Sequence, residues 1–198
     1  IDSHVELYIP ADIDVLGVFQ VVTVKIEPGE HGHVFQEFKD IDALPEDSGR
    51  RVITTGGHFG YLKIAEGCDK HCTYCIIPSL RGKFRSVPEE RLLKQAEYMA
   101  SQGVRELILV AQETTVYGTD LYGKKTLHLL LKKLCQIRGI RWIRVLYCYP
   151  EEIYDELIQV MKEEKKVCHY LDLPIQHAND TILRRMGRRT TKAELLDI

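Results

Sequence analysis

The sequence predicts an α/β fold in which parallel strands alternate with helices, preceded by a small β module. From residue 60 onward, short apolar runs alternate four times with segments whose apolar residues recur at helical spacing. Strand–helix repeats of this kind form parallel sheets with right-handed crossovers, either in an α/β barrel or in an open doubly wound sheet. The first 40 residues lack that helical spacing and contain three β-type runs separated by Pro and Gly.

The N-terminal region is expected to form short antiparallel strands joined by turns. The predicted strands are 5–9, 17–27 and 34–38. The predicted turns lie at Pro10, Pro28-Gly29 and Gly32. We therefore divide the chain into a small β module at 1–40, a polar linker at 41–55 and an α/β core at 56–198.

The core is predicted from four apolar runs and four amphipathic segments. The predicted strands are 61–65, 107–111, 142–147 and 170–175. The second of these is apolar throughout, which is typical of a strand covered on both faces. The first predicted helix opens at Pro88 and ends at Gly103, and the second runs through 127–134 and ends at Gly139. The third opens after Pro150, with Ile153, Leu157 and Met161 on one face. The fourth starts at 181–186.

Composition narrows the function classes. The 198 residues suffice for one domain and a small appendage. With 27 basic and 29 acidic residues and a net charge of -2, there is no general attraction to nucleic acid. No apolar run approaches the roughly 20 residues of a membrane span, so we expect no membrane association and a reducing, cytoplasmic setting. Three isolated cysteines in apolar segments are expected to be small buried side chains: Cys135, Cys148 and Cys168.

The remaining cysteines are the most informative residues of the chain. Cys68, Cys72 and Cys75 are separated by three and then two residues, so their thiolates can converge on one iron–sulfur cube. A cube has four irons, and three ligands leave one iron open, which favours cofactor or substrate chemistry over electron storage. The alternative is a structural zinc knuckle with His71 as the fourth ligand. Zinc sites usually draw ligand pairs from separated segments, whereas these four lie within eight residues.

Polar residues follow each predicted strand of the core. They are the cysteine loop and residues 112–115, 147–150 and 176–177. Active sites of parallel α/β folds lie at the C-terminal ends of the strands. These four loops are therefore expected to share one mouth.

Residues 65–82, with the cysteines and Ile76-Ile77-Pro78-Ser79-Leu80, resemble the methylthiotransferase branch of the radical S-adenosylmethionine (SAM) enzymes. Within that branch, residues 112–118 and 173–178 are similar to the RimO type, which modifies an aspartate on protein twelve of the small ribosomal subunit. Relatives that modify transfer RNA usually carry Gln-Asn and Gln-Ser at the corresponding loops. The resemblance covers about residues 56–198 and implies a partial radical SAM TIM-like barrel of about four βα units.

The resemblance also implies cofactors and site residues. Three cysteines would hold a [4Fe-4S] cluster: Cys68, Cys72 and Cys75. Five residues would line the SAM site: Tyr74, Gln112, Glu113, Gln176 and His177. The cluster would reduce SAM to methionine and a 5'-deoxyadenosyl radical, which takes hydrogen from the β-carbon of the target aspartate. The implied partners are the ribosomal protein, ribosomal RNA and an electron donor such as flavodoxin or ferredoxin.

The chain departs from this family in two respects. Family members carry three more cysteines in an N-terminal domain, and nothing before Cys68 supplies them. The family barrel usually has six strands, and about four are predicted here. We therefore expect a C-terminally incomplete fragment or trimmed version that cannot complete sulfur insertion by itself. The β module resembles the small RNA-binding TRAM barrel of these enzymes.

Several interpretations stay open at this level. Residues 112–115 could cap and order the turn after the strand. His177 could be a buried histidine that donates to a backbone carbonyl group. Two basic groups could contact a partner or form a solvated face: Arg81, Lys83 and Arg85, and the denser Arg184, Arg185, Arg188 and Arg189. The alternatives in function are a transfer-RNA adenosine methylthiotransferase and a non-catalytic, zinc-stabilised module that binds RNA or protein.

Overall fold

The structure, a computed structural model, describes residues 41–44 and 53–198 with their side chains, and residues 5–7, 20–26 and 33–38 as backbone strands. The strands are β1 Val5–Leu7, β2 Gln20–Ile26, β3 His33–Phe38, β4 Phe59–Lys63, β5 Ala65–Glu66, β6 Arg85–Ser86, β7 Glu106–Val110, β8 Trp142–Val145 and β9 Val167–Leu171. The helices are α1 Ile77–Arg81, α2 Glu89–Ser101, α3 Thr119–Tyr122, α4 Leu127–Cys135, α5 Asp155–Glu163, α6 Asp180–Arg185 and α7 Lys192–Asp197.

The core sheet has four parallel strands in the order β4-β7-β8-β9. Each strand is followed in space by the next one along the chain, without the reversal of order that marks a doubly wound sheet. This sequential order is that of an α/β barrel. The α/β prediction is therefore confirmed, and of the two architectures left open by the sequence the described strands have the barrel-like one.

Among the described residues, helices cover one face of this sheet. The side chains of Leu62, Leu107, Leu109, Ile143 and Val145 are buried toward α2, α4 and α5, while their strand neighbours alternate toward the other face. On that other face Tyr61, Trp142 and Tyr170 are each about half exposed. In residues 107–111, Leu107, Leu109 and Ala111 are buried whereas Ile108 and Val110 are partly exposed, so the expected cover on both faces is only partial among the described residues.

The N-terminal strands pair as expected. β1 and β3 both pair antiparallel with β2, which lies between them. The turns expected at Pro10, Pro28-Gly29 and Gly32 lie outside the described residues, as does 45–52 of the linker. The assignment of a separate TRAM-like module stays a prediction.

Several element boundaries differ from the sequence prediction, most notably in the fourth strand and the third helix. The fourth strand is Val167–Leu171 rather than 170–175, because β8 ends at Val145 and its last partner on β9 is Leu171. Pro174, beyond that point, has no N–H group for a ladder. After Pro150 the chain makes a 3₁₀ turn over Pro150–Glu152, and the helix α5 begins only at Asp155. Among the described residues, no helix is long and apolar enough to cross a membrane.

Candidate metal and cofactor site

The cysteine loop is fixed at both ends by a short antiparallel ribbon. β5 enters the loop and β6 leaves it, with Ala65 opposite Ser86 and Glu66 opposite Arg85. Gly67 follows β5 with a φ of 74°, and a Cβ atom there would overlap the carbonyl oxygen of Lys83. Only glycine fits such a close approach at positive φ. The ribbon, absent from the sequence prediction, therefore sets where Cys68 emerges.

Backbone hydrogen bonds order the inside of the loop. The N–H of Cys68 donates to the carbonyl oxygen of Gly82 at 3.2 Å, and the N–H of Cys75 donates to that of Cys72 at 3.0 Å. Asp69 accepts the N–H of Phe84 at 3.0 Å through Oδ1. These bonds satisfy the polar groups of a loop that has little regular secondary structure.

The three cysteines are free thiols of different exposure. Cys68 and Cys72 are buried, and Cys75 is partly exposed. Burial raises the pKa of the Cys68 thiol, and the nearby Glu113, Cys75 and Cys72 raise it further. A metal must therefore displace the proton when the thiolate binds. Within the described residues, no three His, Cys, Asp or Glu side chains converge closely enough to hold a single metal ion, and this applies to the three cysteines as much as to a set that includes His71.

A cavity of about 300 Å³ lies against this loop. Two of the three cysteines line it, together with charged and aromatic side chains from the loops after β7 and β8 and from the turn after α6. The principal lining residues are Cys68, Lys70, Cys72, Glu113, Lys125, Tyr149, Glu151, Glu152 and Arg188. The expectation that these loops share one mouth is met by the cysteine loop and the loops after β7 and β8.

Glu113 is a buried carboxyl group in the wall of this cavity. Its Oε1 accepts the backbone N–H of Thr115 at 3.0 Å and also the Thr115 hydroxyl, while its Oε2 has no hydrogen-bond partner among the described residues. Burial raises the pKa of Glu113 to about 7, although the bonds from Thr115 and the charge of Lys70 lower it. The carboxyl group can therefore be neutral or charged near physiological pH.

Two cations lie over the ring of Tyr149 in the same wall. The Arg188 guanidinium group is 4.2 Å from the ring centroid, and Lys70 Nζ is 5.1 Å from it. Glu151 accepts from Arg188 at 3.3 Å, and Glu152 pairs with Lys70. Lys125 also reaches Glu152, at 2.9 Å. These ion pairs and cation–π contacts connect the loop after β8 to the cysteine loop and to the turn after α6.

The remaining residues assigned to SAM are placed less centrally. Tyr74 is 54% exposed, and Gln112 carries a buried Oε1 without a partner in the described part of the chain. Gln176 and His177 are exposed and do not line the cavity. His177 Nδ1 accepts the backbone N–H of Asn179, so it does not donate to a carbonyl group there. The SAM assignments of all four stay predictions.

The segment after β7 also orders the turn that follows the strand, which is the alternative role considered for residues 112–115. Thr114 donates its hydroxyl to the carbonyl oxygen of Leu146 at 2.7 Å, and its backbone N–H donates to that of Tyr147 at 3.1 Å. Both bonds tie this loop to the end of β8. An ordering role of Thr114 is therefore compatible with the SAM contact predicted for its neighbour Glu113, which stays a prediction.

The two basic groups are divided between interior and surface. Arg81 is buried and pairs with Glu66 at 3.5 Å, and the Arg188 side chain is only 2% exposed. Arg85 pairs with Asp42 at 3.3 Å. The exposed members, which remain candidates for partner contact, are Lys83, Arg184, Arg185 and Arg189.

The sequence reasoning missed the roles of Lys70, Tyr149 and Glu152. Tyr149 belonged to a loop expected at the mouth, but nothing in its local sequence indicated a contact with Cys72, 77 positions away. Glu152 meets Lys70 across 82 positions. The sequence offered one signal for these contacts, which was an excess of charged residues in a loop that follows a core strand.

Comparisons with known proteins fit this arrangement. The Radical SAM superfamily model matches residues 62–198. Over 180 residues, which make up 91% of this chain, the sequence is 61% identical to the "Ribosomal protein uS12 methylthiotransferase RimO" of Lachnoclostridium phytofermentans. It is also 59% identical over 150 residues, 76% of this chain, to the protein of that name from Clostridium perfringens strain SM101. The chain spans 41% and 34% of the lengths of these relatives.

Solved structures add evidence on the fold. The chain is similar, with a TM-score of 0.55 and 16% identity, to the radical S-adenosylmethionine methyltransferase TsrM from Kitasatospora setae, covering 70% of this chain and 27% of that one. The cobalamin-dependent S-adenosylmethionine radical enzyme OxsB gives the same score over 69% of this chain and 21% of its own. Because the family model covers more than half of the sequence, including the cysteine loop and the cavity, the chain belongs to the radical SAM superfamily.

Proposed function

We propose that this chain is the radical SAM core of a methylthiotransferase that adds a methylthio group to the β-carbon of an aspartate in ribosomal protein uS12. The proposal is supported by identities of 59–61% to proteins named as uS12 methylthiotransferases. These relatives are more than twice as long as this chain. The activity and the substrate are therefore proposed for the protein of which this sequence forms the core.

The observation that carries the proposal is the composition of the cavity wall. Cys68 and Cys72 line it beside two buried groups of opposite charge, Glu113 and Arg188. Glu113 Oε2 and the Nε and Nη1 atoms of Arg188 have no hydrogen-bond partner among the described residues. Buried polar atoms without partners are rare in proteins, and a bound ligand is one explanation. The thiols suit iron, and an acceptor and donors in the wall of one cavity suit the amino and carboxylate groups of an amino acid.

Each residue can then be given a role. Cys68, Cys72 and Cys75 would hold a [4Fe-4S] cluster, which when bound supplies the electron for reductive cleavage of SAM. Glu113 would accept a hydrogen bond from the amino group of SAM, and Arg188 would donate to its carboxylate. Gln112 would add a further acceptor, and Tyr74, Gln176 and His177, which do not line the cavity, would contact SAM only as the family resemblance implies.

The proposed partners follow from the substrate. The exposed residues Arg184 and Arg185, in the last turn of α6, and Arg189, just beyond it, are a basic group that could meet ribosomal RNA or the ribosomal protein. A ribosomal substrate would place the reaction in the cytoplasm, where a donor such as flavodoxin or ferredoxin would reduce the cluster. Sulfur insertion would need the further cysteine domain that related enzymes carry.

The first test is anaerobic reconstitution with iron and sulfide, followed by electron paramagnetic resonance of the reduced protein with and without SAM. We expect a cluster signal that changes when SAM is added. The Cys72→Ala variant should lose the signal, whereas Cys168→Ala, which changes a free cysteine on β9, should keep it. A signal that survives in Cys72→Ala, or a protein that takes up only zinc, would refute the proposal.

The substrate is tested in cells. The gene that encodes the protein is deleted, and ribosomal protein uS12 and bulk transfer RNA are analysed by mass spectrometry. Loss of the methylthio group from uS12 alone supports the proposal. Loss from a transfer-RNA adenosine, with uS12 unchanged, would instead identify the transfer-RNA-modifying relative.

A further inference from the structure

The phenol of Tyr149 lies against one of the proposed cluster ligands. Its hydroxyl oxygen is 3.7 Å from Cys72 Sγ, a hydrogen-bonding distance for the large sulfur atom. The two residues come from different loops, after β8 and after β5. Both residues line the cavity, but neither is among the residues to which SAM binding is assigned above.

The ring of Tyr149 is held in place from several sides. Lys70 and Arg188 lie over the ring at 5.1 and 4.2 Å from its centroid, and each is anchored by a carboxylate, Glu152 and Glu151 respectively. The backbone N–H of Tyr149 donates to Thr115 Oγ1 at 3.3 Å. The hydroxyl group is therefore directed at the sulfur by a fixed scaffold, without the entropic cost of ordering a free side chain.

The direction of the hydrogen bond follows from the chemistry of a cluster ligand. A cysteine binds iron as a thiolate, which has lone pairs and no proton. In the loaded protein Cys72 can therefore only accept, and the phenol must donate. Hydrogen bonds to cluster sulfurs are among the factors that set the reduction potential. They stabilise the reduced cluster more because it carries more negative charge.

We propose that Tyr149 donates a hydrogen bond to the Cys72 thiolate and thereby raises the reduction potential of the cluster. This inference rests on the proposed function only in that a cluster binds to the three cysteines. Tyr149 acts on the cluster through Cys72. Tyr74 also lies near Cys72 but is mostly exposed, so its hydrogen bond should count for less.

The test is a redox titration of the reconstituted cluster, monitored by electron paramagnetic resonance. In Tyr149→Phe the midpoint potential should shift to more negative values at unchanged iron content. The matched control is Tyr147→Phe, two positions earlier, whose side chain is 51% exposed; its potential should equal that of the wild type. Tyr74→Phe should give a smaller shift than Tyr149→Phe.

A second substitution keeps the inference testable if Tyr149→Phe assembles poorly. Incorporation of 3-fluorotyrosine at position 149 retains the shape of the ring and makes the phenol a stronger donor, so the potential should shift to more positive values. Unchanged potentials in both Tyr149 substitutions would overturn the inference while leaving the proposed function intact. A wild-type protein that builds no cluster overturns both.

Discussion

The backbone N–H of Thr73, in the middle of the cysteine loop, donates to the carbonyl oxygen of Met186 at 3.0 Å. The Thr73 hydroxyl donates to the neighbouring carbonyl oxygen of Arg185, also at 3.0 Å. The loop is therefore shaped by its own ribbon and also by the end of α6, far along the chain. We therefore expect substitutions near Met186 to affect the conformation of the cysteine loop.

We predict that Gly187→Ala destabilises the cysteine loop. Gly187 has a φ of 74°, and a Cβ atom there would lie 2.8 Å from the carbonyl oxygen of His71, a backbone atom that cannot rotate away. Strain from the positive φ and this clash together should lower the free energy of unfolding by about 2–3 kcal/mol. Urea unfolding of the apoprotein measures this loss, and iron uptake should fall in parallel.

Gly123→Ala is the matched control for that prediction. Gly123 has a nearly equal φ of 70°, but a Cβ atom there would meet nothing within 4 Å. Its cost should be the backbone strain alone, about 1 kcal/mol, with normal iron uptake. Equal losses in the two variants would mean that the contact with His71 has no effect on stability.

We predict that Glu113→Gln changes how stability depends on pH. The pKa of Glu113 is about 7 in the folded protein, against 4.5 for an unperturbed glutamate. Between these values the folded state keeps a proton that the unfolded state has released, so the wild type loses stability as the pH rises from 4.5 to 7. The difference of 2.5 pH units corresponds to about 3 kcal/mol at most.

Glutamine does not titrate, so Glu113→Gln should lack this decline. Relative to the wild type, the variant should gain about 2–3 kcal/mol between pH 5 and pH 8 in urea unfolding of the apoprotein. The exposed Glu163→Gln serves as the control and should follow the wild-type profile. If the stability difference between Glu113→Gln and the wild type were constant over this range, Glu113 would titrate normally.

The parts of this molecule that the sequence predicted are those fixed by local pattern. The cysteine spacing and the four strand–helix units depend on residues a few positions apart, and both appear in the comparisons and the structure. Arg188 shows why the rest was missed. Its charge favours exposure, yet stacking on Tyr149 and pairing with Glu151 bury it. Such long-range contacts leave no periodic signal in the sequence.

We predict that Glu66→Gln is strongly destabilising. Glu66 is 1% exposed and pairs with Lys63 and, at 3.5 Å, with the buried Arg81. Removing its charge weakens the ion pair with the buried guanidinium group of Arg81, which costs about 3 kcal/mol in unfolding free energy. Adding Arg81→Met should recover part of the loss, because the buried positive charge that Glu66 balances is then gone.

The exposed pair of Lys132 and Glu163 is the comparison for this prediction. Their charged groups are 4.0 Å apart and both side chains are 50% exposed. Glu163→Gln should therefore change stability by less than about 0.5 kcal/mol. Comparable losses in Glu66→Gln and Glu163→Gln would show that burial does not set the energetics of the Glu66 pair.

We predict that α4 stabilises the core through one face only. Leu131 is fully buried between the sheet and neighbouring helices, while Leu129, two positions earlier, is 41% exposed. Leu131→Ala removes buried methyl groups and leaves a cavity, so it should cost about 3 kcal/mol, whereas Leu129→Ala should cost less than about 1 kcal/mol. Both substitutions replace leucine with the best helix former, so helix propensity cannot explain a difference. Urea unfolding at one pH gives both values, and losses of similar size would contradict the orientation of α4 on the sheet.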